Sequence, residues 1–256
     1  MKLFFADIQL ISVIWFFNLQ KANPKPMKTK IFSFIFFIIF SIQLYAEYAD
    51  VPSLRIFSKP LILLTLLVWL VVSTNLKGRF HKRILIGLIF GLIGDVLLLF
   101  QSGQNSFFMY GLISFLLCHI FYIRAFVLDH KSNPNQKNPY FLWSVGALGI
   151  FCAGLFFYMQ PKLGALQFPV LMYAIIISIM AMMAVNRYGK VNVFSFKVIL
   201  YGALFFLLSD SALAINKFST PIPQSGAVIM ASYMIAQYLI VYGTIERKLV
   251  VTRTEV

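Results

Sequence analysis

Gly87-Leu88-Ile89-Phe90-Gly91-Leu92-Ile93-Gly94-Asp95-Val96-Leu97-Leu98 is answered further along the chain by Gly202-Ala203-Leu204-Phe205-Phe206-Leu207-Leu208-Ser209-Asp210-Ser211-Ala212-Leu213. Gly, Phe, Asp and Leu recur at one constant offset of 115 residues. Each copy sets an aspartate inside a long apolar run, the signature of a membrane-crossing helix. An ionisable group there costs roughly 2.5–3.5 kcal/mol on insertion scales, so it marks a functional site by default. Two such groups at matched positions point to one site assembled from two halves of the chain.

Composition agrees. Hydrophobic residues make up 60% of the chain and the mean hydropathy is +0.84, which excludes an ordinary soluble domain. Backbone polar groups must be satisfied within lipid, and the runs lack the alternation of barrel strands, so the spans are helices. The net charge of +14 would suit nucleic acid. The basic residues fall in the loops between spans, however, so they read as orientation signals and no nucleic-acid partner is expected. Cys118 and Cys152 sit in apolar runs as buried thiols, without a disulfide framework. With only His81, His119 and His130 available, no all-histidine metal site is expected.

Eight spans follow: 31–48, 58–74, 83–101, 106–126, 139–159, 165–186, 196–216 and 223–245. Their loops alternate in charge. Eighteen Lys and Arg fall on one side, and Arg55, Lys59, Lys162 and Lys217 fall on the other. That asymmetry places both termini in the cytoplasm, in what we expect to be a bacterial plasma membrane. The fold class is therefore all-α, a polytopic membrane bundle of eight transmembrane helices. The acidic spans, third and seventh, run in the same direction, which makes the duplication a parallel four-plus-four repeat. Pro60, which opens span two, and Pro169, near the start of span six, fit it. His119 and Gln237 are further counterparts at an offset of 118.

Residues 1–26 form a separate extension, and 27–256 form the integral membrane domain. Leu3 to Leu19 reads as a ninth span, an interfacial helix, or sequence upstream of a start at Met27; an interfacial or dispensable extension is preferred. The stretch from Met27 to Ala46 also resembles a secretory signal peptide. A retained first helix preserves the charge alternation.

Asp95 and Asp210 lie about twelve residues past Arg83 and Lys197. Both therefore sit ~18–20 Å from the cytoplasmic edge, as a shared pocket requires. Neither has a basic residue at i±3 or i±4. A buried pair without a local cation can hold one proton, so that one carboxyl serves as acid and the other as base or stabiliser. The competing reading makes each aspartate polar glue between helices. Gly87, Gly91 and Gly94 form a close-packing stripe. Ser209 and Ser211 show no nucleophile-elbow signal. His119, Tyr122, Asn216, Tyr233 and Gln237 are candidate lining residues. Tyr242 in particular reads as an interfacial belt residue, and Lys217 as a snorkelling one.

Five motifs, in order, carry a family likeness: Lys59-Pro60-Leu61; Gly94-Asp95-x-x-Leu98; Phe115-x-x-x-His119-x-x-Tyr122; Ser209-Asp210-x-x-Leu213-Ala214-x-Asn216-x-Phe218; and Ala236-Gln237-x-Leu239-Ile240. Together they resemble the YhhN-like family, whose animal members are lysoplasmalogenases. The likeness runs from about residue 31 to 245. It implies hydrolysis of the vinyl-ether bond of a lysophospholipid drawn from the bilayer. The products are a fatty aldehyde and glycerophosphoethanolamine or glycerophosphocholine. That chemistry needs an acid, a negative charge near an oxocarbenium ion, and water, as in glycosidases. Paired aspartates supply these, with no cofactor. Lys59 is then a candidate partner for the headgroup phosphate, alongside membrane lipids as general partners. A proton-coupled transporter or lipid-binding membrane protein is the runner-up. The sequence leaves oligomeric state and the physiological headgroup open.

Overall fold

A computed structural model describes residues 27–100 and 105–250. Eight α-helices follow in order: α1 (Met27–Tyr48), α2 (Pro52–Thr74), α3 (Arg79–Leu99), α4 (Asn105–Ser132), α5 (Phe141–Leu163), α6 (Gln167–Val185), α7 (Val193–Phe218) and α8 (Ser225–Ile245). A 3₁₀ turn, Gly164–Leu166, joins α5 to α6. The only β-pairing among the described residues is an isolated bridge between Val191 and Leu249. The extension 1–26 lies outside the described residues.

The protein is an integral membrane protein built of helices. By length and composition, six helical segments among the described residues are long and apolar enough to cross a bilayer, against eight expected spans. Two facts account for the difference. Phe141–Val185 forms one 45-residue apolar segment. The α3 helix is not among the six; it carries Arg79, Lys82 and Arg83 in its first turns as well as Asp95. The 45-residue segment nevertheless doubles back at Gly164, whose φ of +51° suits a residue without a Cβ. Asn138, just before α5, donates to the carbonyl of Val185 at the end of α6 (2.9 Å). The rings of Tyr140 and Tyr188 meet edge to face at 5.0 Å.

Contacts define two ends of the bundle. At one end Asp129 of α4, Arg187 after α6 and Arg247 after α8 meet in a buried cluster. Arg187 Nε lies 2.8 Å from Asp129 Oδ2, and Arg247 pairs with Oδ1. The Arg187 guanidinium also donates to Ser195 and sits near the rings of Phe80 and Phe126. At the other end Lys162 donates to the carbonyl of Ser219 (2.8 Å), and Arg55 pairs with Glu47 and Asp50. The Asp129 cluster explains why α4 runs to Ser132, past the expected end at 126: the extra turns carry Asp129 to its two arginines.

Close helix approach depends on small residues, as expected where lipid gives no hydrophobic drive to association. A Cβ on Gly87 would strike the ring of Tyr122, and one on Gly202 would lie 3.0 Å from the carbonyl of Ala236. These counterparts seat α3 on α4 and α7 on α8. Other partners repeat as well: α2 packs on α3 and α6 on α7, while α2 packs on α8 and α6 on α4.

Two local expectations are corrected. Pro60 does not open its helix; α2 begins at Pro52, in the first-turn position proline favours, and Pro60 lies inside. Tyr242 is not an interfacial residue but is buried, stacked on Trp69 and edge-on to Phe194. Trp69, Tyr238 and Phe36 extend this aromatic layer, and Ser33 bonds Tyr238 at 2.8 Å, fixing α1 to α8.

Removing Asp129 leaves two guanidiniums facing each other without a counter-charge. Breaking a buried pair in this way costs about 3–5 kcal/mol. Asp129→Ala should therefore lower the thermal unfolding midpoint in detergent substantially, and Arg247→Ala less, because Arg247 is the more exposed partner. An unchanged midpoint for Asp129→Ala would show that the cluster is not a structural clamp.

Candidate active site

Asp95 and Asp210 reach the same cavity from α3 and α7. It has a volume of about 470 Å³ and opens toward the Lys162 end of the bundle. Glu47, Asp50, Arg55 and Lys59 line it from the α1–α2 corner, and Asn216, Ser225 and Tyr233 line it from α7 and α8. Four of the eight acidic residues of the chain thus face one space.

The carboxylates are held differently. Asp95 is buried; its Oδ2 accepts from the Tyr233 hydroxyl at 2.9 Å, and Lys59 Nζ lies 3.9 Å from Oδ1. Among the described residues, no lysine or arginine pairs with Asp210. Its Oδ2 accepts from the Tyr173 hydroxyl at 2.5 Å and lies 2.9 Å from His119 Nε2. His119 is fully buried on α4, edge-on to Phe206 and Tyr173. Its Nδ1 has no hydrogen-bond partner among the described residues.

Of the residues singled out in the sequence, Lys59, Asp95, Asp210, Asn216 and Tyr233 line the cavity. His119 touches Asp210 from behind. Tyr122 and Gln237 do not reach the cavity. They stand behind Tyr233 in a chain: Tyr122 donates to Gln237 Oε1 (2.7 Å), Gln237 Nε2 donates to the Tyr233 oxygen (3.4 Å), and Tyr233 donates to Asp95. Asn216 spends its Oδ1 on the backbone N–H of Ile222 at 2.9 Å, tying the α7–α8 loop. The expectation that neither aspartate has a cation nearby holds along each helix but fails across helices, because α2 brings Lys59 to Asp95. Lys59 itself is nearly buried. Lys217, read as a snorkelling residue, holds its ammonium 4.7 Å over the ring of Phe108.

Sequence reading missed Tyr173, Glu47, Asp50 and Arg55. A tyrosine midway along a largely apolar α6 was the available signal for the first. The scarcity of acids was the signal for Glu47 and Asp50. Gln43 ties that corner together, donating to Glu47 (2.9 Å) and accepting from Ser58 (2.5 Å).

An arrangement of this kind can hold a proton, a negative charge and a polar ligand together beneath one end of a membrane helix bundle. Residues 54–244, well over half of the chain, match the YhhN family. The chain belongs to the YhhN family. It is 33% identical over 170 residues to "Lysoplasmalogenase TMEM86A" of Homo sapiens, covering 65% of this chain and 66% of that protein. The Bos taurus protein of the same name is 33% identical over 171 residues, with the same coverage. "Lysoplasmalogenase TMEM86B" of Sus scrofa is 29% identical over 182 residues, covering 71% of each. The chain thus spans just under two thirds of the length of the TMEM86A proteins. No solved structure matches it.

The polar chain behind Asp95 makes a stability prediction. Tyr122→Phe leaves the buried Gln237 Oε1 without its donor, at a cost of about 1–3 kcal/mol. Adding Gln237→Met removes the orphaned amide and should recover part of the loss, read as the unfolding midpoint in detergent. A Tyr122→Phe protein as stable as the parent would mean that this bond contributes nothing.

Proposed function

We propose that the protein hydrolyses the vinyl-ether bond of lysoplasmalogens within the membrane, with Asp210 as general acid and Asp95 as the carboxylate that stabilises the cation. The observation that carries this reading is the meeting of two intramembrane carboxylates, from separate helices, on one cavity. The names of the TMEM86A and TMEM86B relatives support the reaction class.

The division of roles rests on the two environments. Lys59 gives Asp95 a counter-charge, so Asp95 is the permanent anion. Asp210 is held through Oδ2 by Tyr173 and His119, which leaves Oδ1 for a proton that faces the ligand. Asp210 donates this proton to the β-carbon of the vinyl ether, and the C=C π electrons form the new C–H bond. The resulting oxocarbenium ion lies beside the Asp95 charge, as in glycoside cleavage. Water adds to the cationic carbon and gives its proton to the Asp210 carboxylate. The hemiacetal then collapses, releasing a fatty aldehyde and a glycerophospho-alcohol. Atoms balance with one water consumed, and Asp210 ends protonated as it began.

Lys59, beside Asp95, and Arg55, nearer the surface, are the cations we assign to the headgroup phosphate, and Glu47 and Asp50 to its ammonium. We further read eight crossings arranged as a parallel duplication. The repeated motif at offset 115 and the repeated packing partners support this. The charge asymmetry supports a cytoplasmic location for both termini. On that orientation the cavity opens outward. A reporter inserted after Gly189 should then be cytoplasmic and one at Lys162 external; the reverse pattern would invert the orientation.

Asp95→Asn and Asp210→Asn keep shape while removing charge and proton donation. Each should slow aldehyde release by the purified protein from an alkenyl lysophospholipid by about 10²–10³-fold or more, with the variants still folded. Full activity in either variant would contradict the assigned roles. A proton-coupled carrier would instead take lysolipid into vesicles without forming aldehyde.

A further inference from the structure

A second cavity, of about 290 Å³, lies on the other side of Asp210. It runs between α4, α6 and α7, walled by Leu112, Leu116, Phe168, Met172, Ala214 and Phe218. Its chemistry is opposite to that of the first. Apart from the Asp210 carboxyl and the Tyr173 hydroxyl at its inner end, its side chains are hydrocarbon and thioether. Phe168 and Met172 are exposed on the outside of the bundle, so the cavity faces the lipid side of the helices.

The two cavities share Asp210 and Leu213 and no other residue. A ligand that spans both must have a polar part and an apolar part joined near the Asp210 carboxyl. From this we infer that the α4–α6–α7 cavity is the seat of the single hydrocarbon chain of a lysolipid, entered sideways from the bilayer. The vinyl ether then lies at the junction and the headgroup in the polar cavity. The inference rests on the lysolipid reading above. It adds where the one chain lies: the apolar cavity meets Asp210 from the lipid side and leaves the polar cavity to the headgroup. A second chain would lie against Glu47, Asp50, Arg55 and Lys59.

The assignment makes chain length a readout. Met109 on α4 and Leu166 before α6 wall the cavity far from Asp210. Met109→Trp and Leu166→Trp, made separately, each shorten the space. The probes are 1-alkyl lysophosphoethanolamines from octyl to octadecyl, saturated ethers that bind but offer no double bond to protonate. Affinity of the parent protein should rise with chain length, by up to about fourfold for each methylene buried. Both variants should bind octyl probes nearly as the parent does and lose about tenfold or more for the longest. A dialkyl phosphoethanolamine should compete poorly.

A loss uniform across the series, no loss in either variant, or equal competition by the two-chain lipid would overturn the chain seat. The outcomes also separate this inference from the reaction. Length-dependent binding without aldehyde release from the alkenyl substrate would leave the chain seat standing and remove the hydrolase. Aldehyde release at rates indifferent to both tryptophans at every length would do the reverse.

Discussion

A carboxylate inside this bundle has to find its partners in the protein, because the surrounding hydrocarbon supplies none. Asp95 takes Tyr233 and Lys59 from two other helices, and Asp210 takes His119 and Tyr173 from two more. Each carboxylate therefore draws three helices toward one point. Seen from the bilayer, the site is also the device that joins the halves of the fold. Tyr233, on α8, serves the aspartate of α3; His119, on α4, serves the aspartate of α7. Separating the halves would leave both acids short of donors.

The unequal partners matter as much as the shared cavity. Among the described residues, an ammonium near one carboxylate and none near the other breaks the symmetry that the repeated motif sets up. An acid and a fixed anion are different tasks, and two matched aspartates can perform both only if their surroundings differ. The divergence falls on α2 and α6, which approach the site from corresponding positions. The first supplies Lys59 and the second Tyr173.

Helix class and the meeting of the two aspartates on one cavity were legible in the sequence because each leaves a one-dimensional trace. Long apolar runs mark the helices, and a constant offset marks Asp95 with Asp210. The limits of α3 as a span were less legible, since its leading charges belong at once to a helix start and to a loop. What stayed hidden has no such trace. Lys59 lies 36 residues before Asp95, and Tyr173 lies 37 before Asp210, so neither pairing shows in helical spacing. Arg187 and Arg247 were counted only as loop charges; their burial against Asp129 depends on where α4 ends. Tyr122 and Gln237 were expected to line the site, but they are buried behind Tyr233, which stands between them and the cavity.

The central claim is that two aspartates, one from each half, act as a unit in a single site. A double-mutant cycle on aldehyde release tests it most directly, comparing Asp95→Asn, Asp210→Asn and the combined variant. Groups that act as a unit are strongly non-additive. The account predicts that the double variant is about as slow as the slower single one. Losses that multiply, as for two independent sites, would contradict it.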